Sequence, residues 1–262
     1  MAGFLWLKWC LLLREQSADF AKILVFSGLT FAFFCCPLYL SVKLTNTVEG
    51  ITLAARGTKR KNIRLVTEKA LDSFLENGIE KTTIADIAQI SGLTERAVFR
   101  YFESKADLVL AASLLYWNRV LERIDRMSHE NSDGSTTGLE DAEKILICYS
   151  KLYRLDPKGM RFTLDAELML QTAGRLHKVK NQPPEPFETS HGSMAKAIRK
   201  GLADGSISPD VDVREIYYNS YDAILGIMQR ISIGGTPSAR ALDYDSRMLH
   251  LSQLFVRALS GK

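Results

Sequence analysis

The sequence predicts an all-α protein, and three observations carry that expectation. From Lys105 onward apolar residues recur at three- and four-residue spacing, no stretch sustains two-residue alternation, and glycine, proline and serine cluster between the periodic segments. With 262 residues, 46% of them hydrophobic, the chain can bury a sizeable core.

The first predicted helix covers about 62–77. Ile63, Val66, Ala70, Leu71, Phe74 and Leu75 form one apolar stripe there, and Gly78 supplies the stop. Residues 82–107, TTIADIAQISGLTERAVFRYFESKAD, then encode two short helices parted by Ser91 and Gly92. Ile84, Ile87 and Ala88 share a face of the first. Thr94 restarts the helix because its hydroxyl can accept from the free amides of the next turn, and Val98 and Phe102 give the second helix a buried edge. Its opposite edge, Glu95, Arg96, Phe99 and Arg100, is left free, which fits a helix-turn-helix whose second helix enters a DNA groove. Ser104 and Asp107 form a capping pair, so a further helix begins at Lys105, with free amides and a lysine where a phosphate can sit.

Longer helices are predicted at about 105–127, 139–153, 158–176, 187–204, 213–233 and 239–259, separated by the Ser/Gly/Thr-rich loop 129–138 and the proline-rich 181–186. The helix at 213–233 is apolar nearly all round. Val213, Ile216, Tyr217, Ile224, Ile227 and Ile231 make one stripe, and Tyr218, Tyr221, Leu225 and Met228 a second. Two apolar faces need two coverings, one from the chain's own core and one from another chain.

A formal charge of +4 does not announce a nucleic-acid binder, so the distribution of charge matters more. Arg56, Lys59, Arg60, Lys61 and Arg64 stand together with no acid between Glu49 and Glu68. This basic arm directly precedes the helix-turn-helix, where phosphate or minor-groove contacts are useful. Three of the four cysteines, Cys10, Cys35 and Cys36, lie in the first forty residues, and the remaining Cys148 suits a reducing compartment. His129, His177, His191 and His250 are far apart, and no spacing indicates a metal site or a catalytic cluster, so no enzyme is expected.

The N-terminal fifty residues differ from the rest. Residues 23–42 form an uncharged apolar run between Lys22 and Lys43, of about bilayer-spanning length. Two expectations compete: a membrane anchor that leaves the basic side in the cytoplasm, or a dispensable extension upstream of a natural start near Val48 or Leu53, where a non-methionine start codon would be read.

Gly78, Thr82-Thr83, Ile87-Ala88, Ser91-Gly92-Leu93-Thr94, Val98-Phe99-Arg100-Tyr101-Phe102, Ser104-Lys105 and Asp107-Leu108 together resemble the tetracycline-repressor (TetR/AcrR) family of transcriptional regulators. The resemblance spans 61–111; beyond it only an all-helical layout of family-like length is shared. Arg96 stands where the family often has a small residue, and Phe99 where it often has tyrosine. The resemblance implies a helix-turn-helix domain over 56–110 and a helical effector-binding and dimerisation domain over 111–262, with 1–55 as the hydrophobic extension. It also implies a cytoplasmic homodimeric repressor that binds a palindromic operator and responds to a small hydrophobic or aromatic effector, with no cofactor or metal.

Carried onto this chain, Thr83 and Thr94 hold phosphates, Tyr101 and Lys105 add backbone contacts, Arg96, Ala97, Phe99 and Arg100 read the bases, and Thr82 and Glu95 belong to the same DNA-binding surface. Arg96 suits guanine, and Ala97 or Phe99 a thymine methyl. The family's pocket falls among Tyr116, Trp117, Tyr149, Tyr153, Met160, Phe162 and Met169, and its dimer interface on Tyr217, Tyr221, Ile224, Met228, Leu251 and Phe255.

Overall fold

The computed structural model describes the backbone of residues 36–129, 135–179, 186–235 and 243–261, and side chains from residue 57 onward. All regular structure among the described residues is helical, as the sequence predicts. The chain divides into two compact units, Met1–Arg56 and Gly57–Lys262. The apolar run at 23–42 falls largely outside the described residues. Among those residues, no helix is long and apolar enough to cross a membrane.

Helix α1 spans Cys36–Asn77, starting far earlier than the expected 62. No proline interrupts it after Pro37, which sits in the first turn where its missing N–H is harmless, and single glycines are tolerated at a cost of about 1 kcal/mol. The basic arm is therefore helical rather than extended. Val66, Ala70, Leu71 and Phe74 are buried along one side of α1, and Gly78 ends it with φ 86°. That conformation is open to glycine without strain.

Helices α2 (Ile84–Ile90) and α3 (Glu95–Phe99) follow, then α4 (Lys105–His129). The expected helix at 139–153 is divided into α5 (Gly138–Ser150) and the single turn α6 (Leu152–Leu155). Asp156 then caps α7 (Pro157–Thr172) by accepting from Gly159 N at 2.9 Å, with Pro157 as its first residue. Gly174, at φ 64°, stops α7 before the expected end at 176, and Leu176–Lys178 form one 3₁₀ turn. Helix α8 (Ser193–Asp204) starts later than 187 because 186–190 is held in a turn, with the Ser190 amide donating to Pro186 O at 2.8 Å. Helices α9 (Val213–Ser232) and α10 (Tyr244–Ser260) complete the order, each capped by an aspartate, Asp212 and Asp243.

The core of the C-terminal bundle lies among α4, α5, α7, α8, α9 and α10. Trp117, Tyr149, Leu146, Met160, Ile198 and Ile224 are fully or almost fully buried there. Gly138 lets α5 approach the backbone of α8 at Ala197 and Gly201, and the bare Gly201 makes room for Ile207. From α1, Phe74 stacks on Phe162 of α7 at 6.2 Å, tying the N-terminal helices to the bundle.

Candidate nucleic-acid interface

Thr83 caps α2 through a reciprocal pair: the Asp86 amide donates to Thr83 Oγ1 at 3.1 Å, and the Thr83 amide donates to Asp86 Oδ2 at 2.8 Å. The Thr83 hydroxyl also donates to Asp86 (2.7 Å), and these bonds hold that carboxyl below the usual carboxylate range. Thr94 caps α3 by accepting from Ala97 N at 3.2 Å. Between them Gly92, at φ 65°, makes the turn, while Leu93 N donates to Ala88 O at 2.9 Å. Ile87, Ala88, Val98 and Phe102 are buried beneath this unit, which fixes α3 by packing.

With Val98 turned inward, the other side of α3 faces solvent. Glu95, Arg96, Phe99 and Arg100 are all exposed, and Phe99 is 49% exposed although aromatic. Thr83 and Thr94 are also exposed, and Ala97 is half-buried. Tyr101 is positioned by two donors to its hydroxyl, Asn62 Nδ2 at 3.0 Å and Arg100 Nη2 at 3.1 Å, and these bonds lower its pKa. Asn62 was missing from the sequence-derived set; only its contact across thirty-nine positions reveals it.

Thr82 is a correction. It is 2% exposed and its hydroxyl donates to Gly78 O at 2.9 Å, with Ser73 Oγ 3.3 Å away. It fastens α2 to the end of α1 and is not available to a phosphate. Lys105 is half-buried, reaching Glu80 O at 3.5 Å, and burial lowers its pKa. Lys59, Arg60 and Lys61 are exposed on α1, and Arg64 is paired with Glu68 at 2.8 Å. The Arg56 side chain lies outside the described residues.

Two ion pairs fasten α7, one to α1 and one to the start of α4. Lys158 of α7 meets Glu76 of α1 at 2.5 Å, and Arg175, just beyond α7, meets Asp107 in the first turn of α4 at 2.5 Å. Burial pushes the Asp107 carboxyl up, but Arg175 and the Ser104 hydroxyl more than offset it and hold the pKa below the ordinary value. A depressed folded pKa means stabilisation present above the unfolded pKa and lost as pH falls through the folded one. Arg175→Ala is therefore expected to cost about 1–2 kcal/mol near neutral pH and progressively less below about pH 4. Urea unfolding of both proteins across that range checks it; a cost independent of pH would remove the ion pair as its source.

Of the residues expected to line one pocket, Tyr116, Trp117 and Phe162 pack on one another in the core, and Tyr153 and Met169 lie apart from them on separate surface pockets. Tyr116, Trp117, Tyr149, Met160 and Phe162 are core side chains, with the Tyr116 hydroxyl donating to Asp156 at 3.0 Å. Tyr153 instead borders a surface pocket with Asp245 and Leu249, and Met169 lines a groove beside Lys105. A cavity of about 370 Å³ lies elsewhere, walled by Leu121, Ile124, Ile145, Met194, Tyr217 and Tyr221, with Glu122, Asp125, His191 and Lys196 among its polar lining. Periodicity alone assigns Tyr217 and Tyr221 to the dimer interface; the structure turns them inward. With Ile224 and Met228 they are at most 5% exposed inside the protomer, so none of the four can meet a second chain. Leu251 and Phe255 remain half-buried. The outward apolar residues nearby are Ile227, half-buried, and Ile233, Leu249 and Leu254, exposed at 50%, 40% and 59%.

A short, capped helix with a buried edge and an exposed basic-aromatic edge defines a helix-turn-helix DNA-binding protein. Residues 66–112 match the profile of bacterial regulatory proteins of the tetR family. The chain is 21% identical over 165 residues to the HTH-type transcriptional regulator TtgR of Pseudomonas putida, covering 63% of this chain and 77% of that one. To the fatty acid metabolism regulator protein of Bacillus subtilis it is 20% identical over 156 residues, 60% of this chain and 76% of that one. Among solved structures, a TetR-family transcriptional regulator from Rhodococcus sp. shares the fold with a TM-score of 0.52 at 14% identity, over 78% of this chain and all (100%) of that one. The transcriptional regulator FadR from Bacillus subtilis, solved with stearoyl-CoA, gives 0.50 at 16% identity over 74% and 98% of the two chains. Residues 66–112 thus carry a helix-turn-helix domain similar to that of the tetR family of bacterial regulatory proteins.

Proposed function

We propose that this regulator is a homodimeric, ligand-responsive repressor acting in the cytoplasm, with its DNA-reading domain at about 56–110 and its effector-binding and dimerisation domain at 111–262. The exposed edge of α3 is the observation that carries the reading. In this reading Arg96 donates to a guanine edge, Ala97 or Phe99 packs on a thymine methyl, and Thr83, Thr94, Tyr101 and Lys105 hold the backbone; their exposure or partial exposure supports it. Exposed Lys59, Arg60 and Lys61 add phosphate contacts from α1.

Dimerisation is assigned to the outward faces of α9 and α10, with Ile227, Leu251, Leu254 and Phe255 as its apolar centre. The effector site is assigned to the cavity walled by Tyr217 and Tyr221, whose apolar lining suits a small hydrophobic or aromatic molecule. Binding there would favour a dimer geometry in which the two α3 helices no longer match successive major grooves. That the Bacillus subtilis FadR was solved with stearoyl-CoA supports an apolar effector class without naming this chain's ligand.

Removing a base-reading and a phosphate-holding side chain should have different consequences. Arg96→Ala is expected to relax preference at one position per half-site at a cost of about 1–3 kcal/mol, whereas Lys105→Ala weakens all sequences alike. Titrations against single-base operator variants check this; a uniform loss for Arg96→Ala would take it out of the base-reading set.

A further inference from the structure

Helix α7 is fastened to α1 at its start by Lys158–Glu76, and Arg175, just past its end, is fastened to the first turn of α4 at Asp107. Between the two fastenings lies a groove of about 670 Å³. One face of α7, Arg161, Asp165, Leu168, Met169 and Thr172, forms one wall, and the turn Gly78–Lys81 with Lys105 forms the other. The groove is distinct from the cavity assigned to the effector, since the two share no lining residue.

Leu168 is 62% exposed, the highest value among the exposed large hydrophobic side chains of the described residues. An exposed leucine is ordinary alone, but here it lines a concave wall together with Met169 and convergent charged groups, the make-up of a binding groove. The charge balance indicates the occupant. Lys81, Lys105 and Arg161 are the cations of the lining, against Glu80 and Asp165, and Asp165 is already taken by Arg161 at 2.9 Å. Lys105 has no carboxylate within ion-pair distance among the described residues, only the Glu80 carbonyl at 3.5 Å. Its desolvated ammonium gains from an anion brought close.

We propose that this groove is a second small-molecule site, for an amphipathic anion whose apolar body lies on Leu168 and Met169 and whose charged head meets Lys81 and Lys105. An anion seated on Lys105 neutralises the charge that a DNA phosphate would otherwise meet and repels that phosphate. An occupant therefore opposes operator binding directly at the junction, and operator lowers its affinity by the same factor. The site itself stands without the effector reading, because its occupancy is measured in the absence of DNA.

The probe is 1-anilinonaphthalene-8-sulfonate, an aromatic anion whose fluorescence rises on binding, titrated into the full chain. Saturable binding is expected, weakened at least tenfold by Leu168→Asp and by Lys81→Glu. Both side chains are exposed, and unchanged unfolding midpoints would confirm intact folds. The other cavity also suits an aromatic molecule, so the groove is read in the Ser193→Trp background, which obstructs that cavity; the binding that remains should still be lost with either groove substitution, and operator DNA should release it. The proposal is overturned if both groove substitutions leave binding unchanged in that background, if Ser193→Trp alone abolishes binding, or if saturating operator leaves the bound probe in place.

Discussion

A glutamate at Ile227 or at Leu254 is expected to convert the dimer into folded monomers and to weaken operator binding about 100-fold or more. The first half of that expectation is a desolvation argument. Leu254 is 59% exposed in the protomer, so its substitution leaves the core intact, and Ile227 is half-buried and touches the core only in part, yet each substitution would bury a carboxylate without a partner between two apolar faces. The second half is a multivalency argument: two half-sites held together convert the second contact into an intramolecular one, worth about 10²- to 10⁴-fold. Sedimentation velocity and operator titration check the two halves separately. Two folded variants that remain dimeric would move the interface away from α9 and α10. Glutamate at Tyr221 or Ile224 tests something else, because those side chains are at most 5% exposed inside the protomer and the variant would unfold.

Gly138→Val is expected to destabilise the protein by about 3 kcal/mol or more, the upper end of overpacking effects. A Cβ at that position would lie 2.0 Å from Gly201 N and 2.5 Å from Ala197 O, both backbone atoms of α8 that no rotamer change can withdraw. The Gly138 amide also donates to Asp204 at 2.8 Å, and Leu139 N to Ser206 Oγ at 3.1 Å, so α5 cannot slide away without breaking these bonds. Chemical unfolding measures the loss. A cost under about 1 kcal/mol would mean that α5 and α8 separate easily and that the close approach is not a constraint.

The legible parts of this protein are those whose determinants lie close together in the chain. Val98 and Phe102 are four residues apart, and Thr94 caps its own helix, so the free edge of α3 can be read from spacing alone. Thr82 was misassigned because its fate depends on Gly78 O and on Ser73, nine residues back on another helix, and a threonine at a helix approach looks the same exposed or buried. Helix α9 carried two apolar stripes, but which one turns inward is decided by packing against α7 and α10. Both stripes contribute to the core, which removed four of the six expected interface residues. The clamps on α7 join positions 82 and 68 residues apart, and no local pattern predicts them. Helix ends slipped where one residue overrides periodicity, as Asp156 and Pro157 do at the start of α7.

Selection of bound sequences from a random double-stranded DNA library tests most directly the claim that the exposed edge of α3 reads DNA from a two-fold dimer. The expected product is a palindrome whose half-sites lie about one helical turn apart centre to centre, with a guanine in each half-site that loses its preference in the Arg96→Ala protein. Recovery of unrelated sequences, or of a single asymmetric site bound by one protomer, would contradict it.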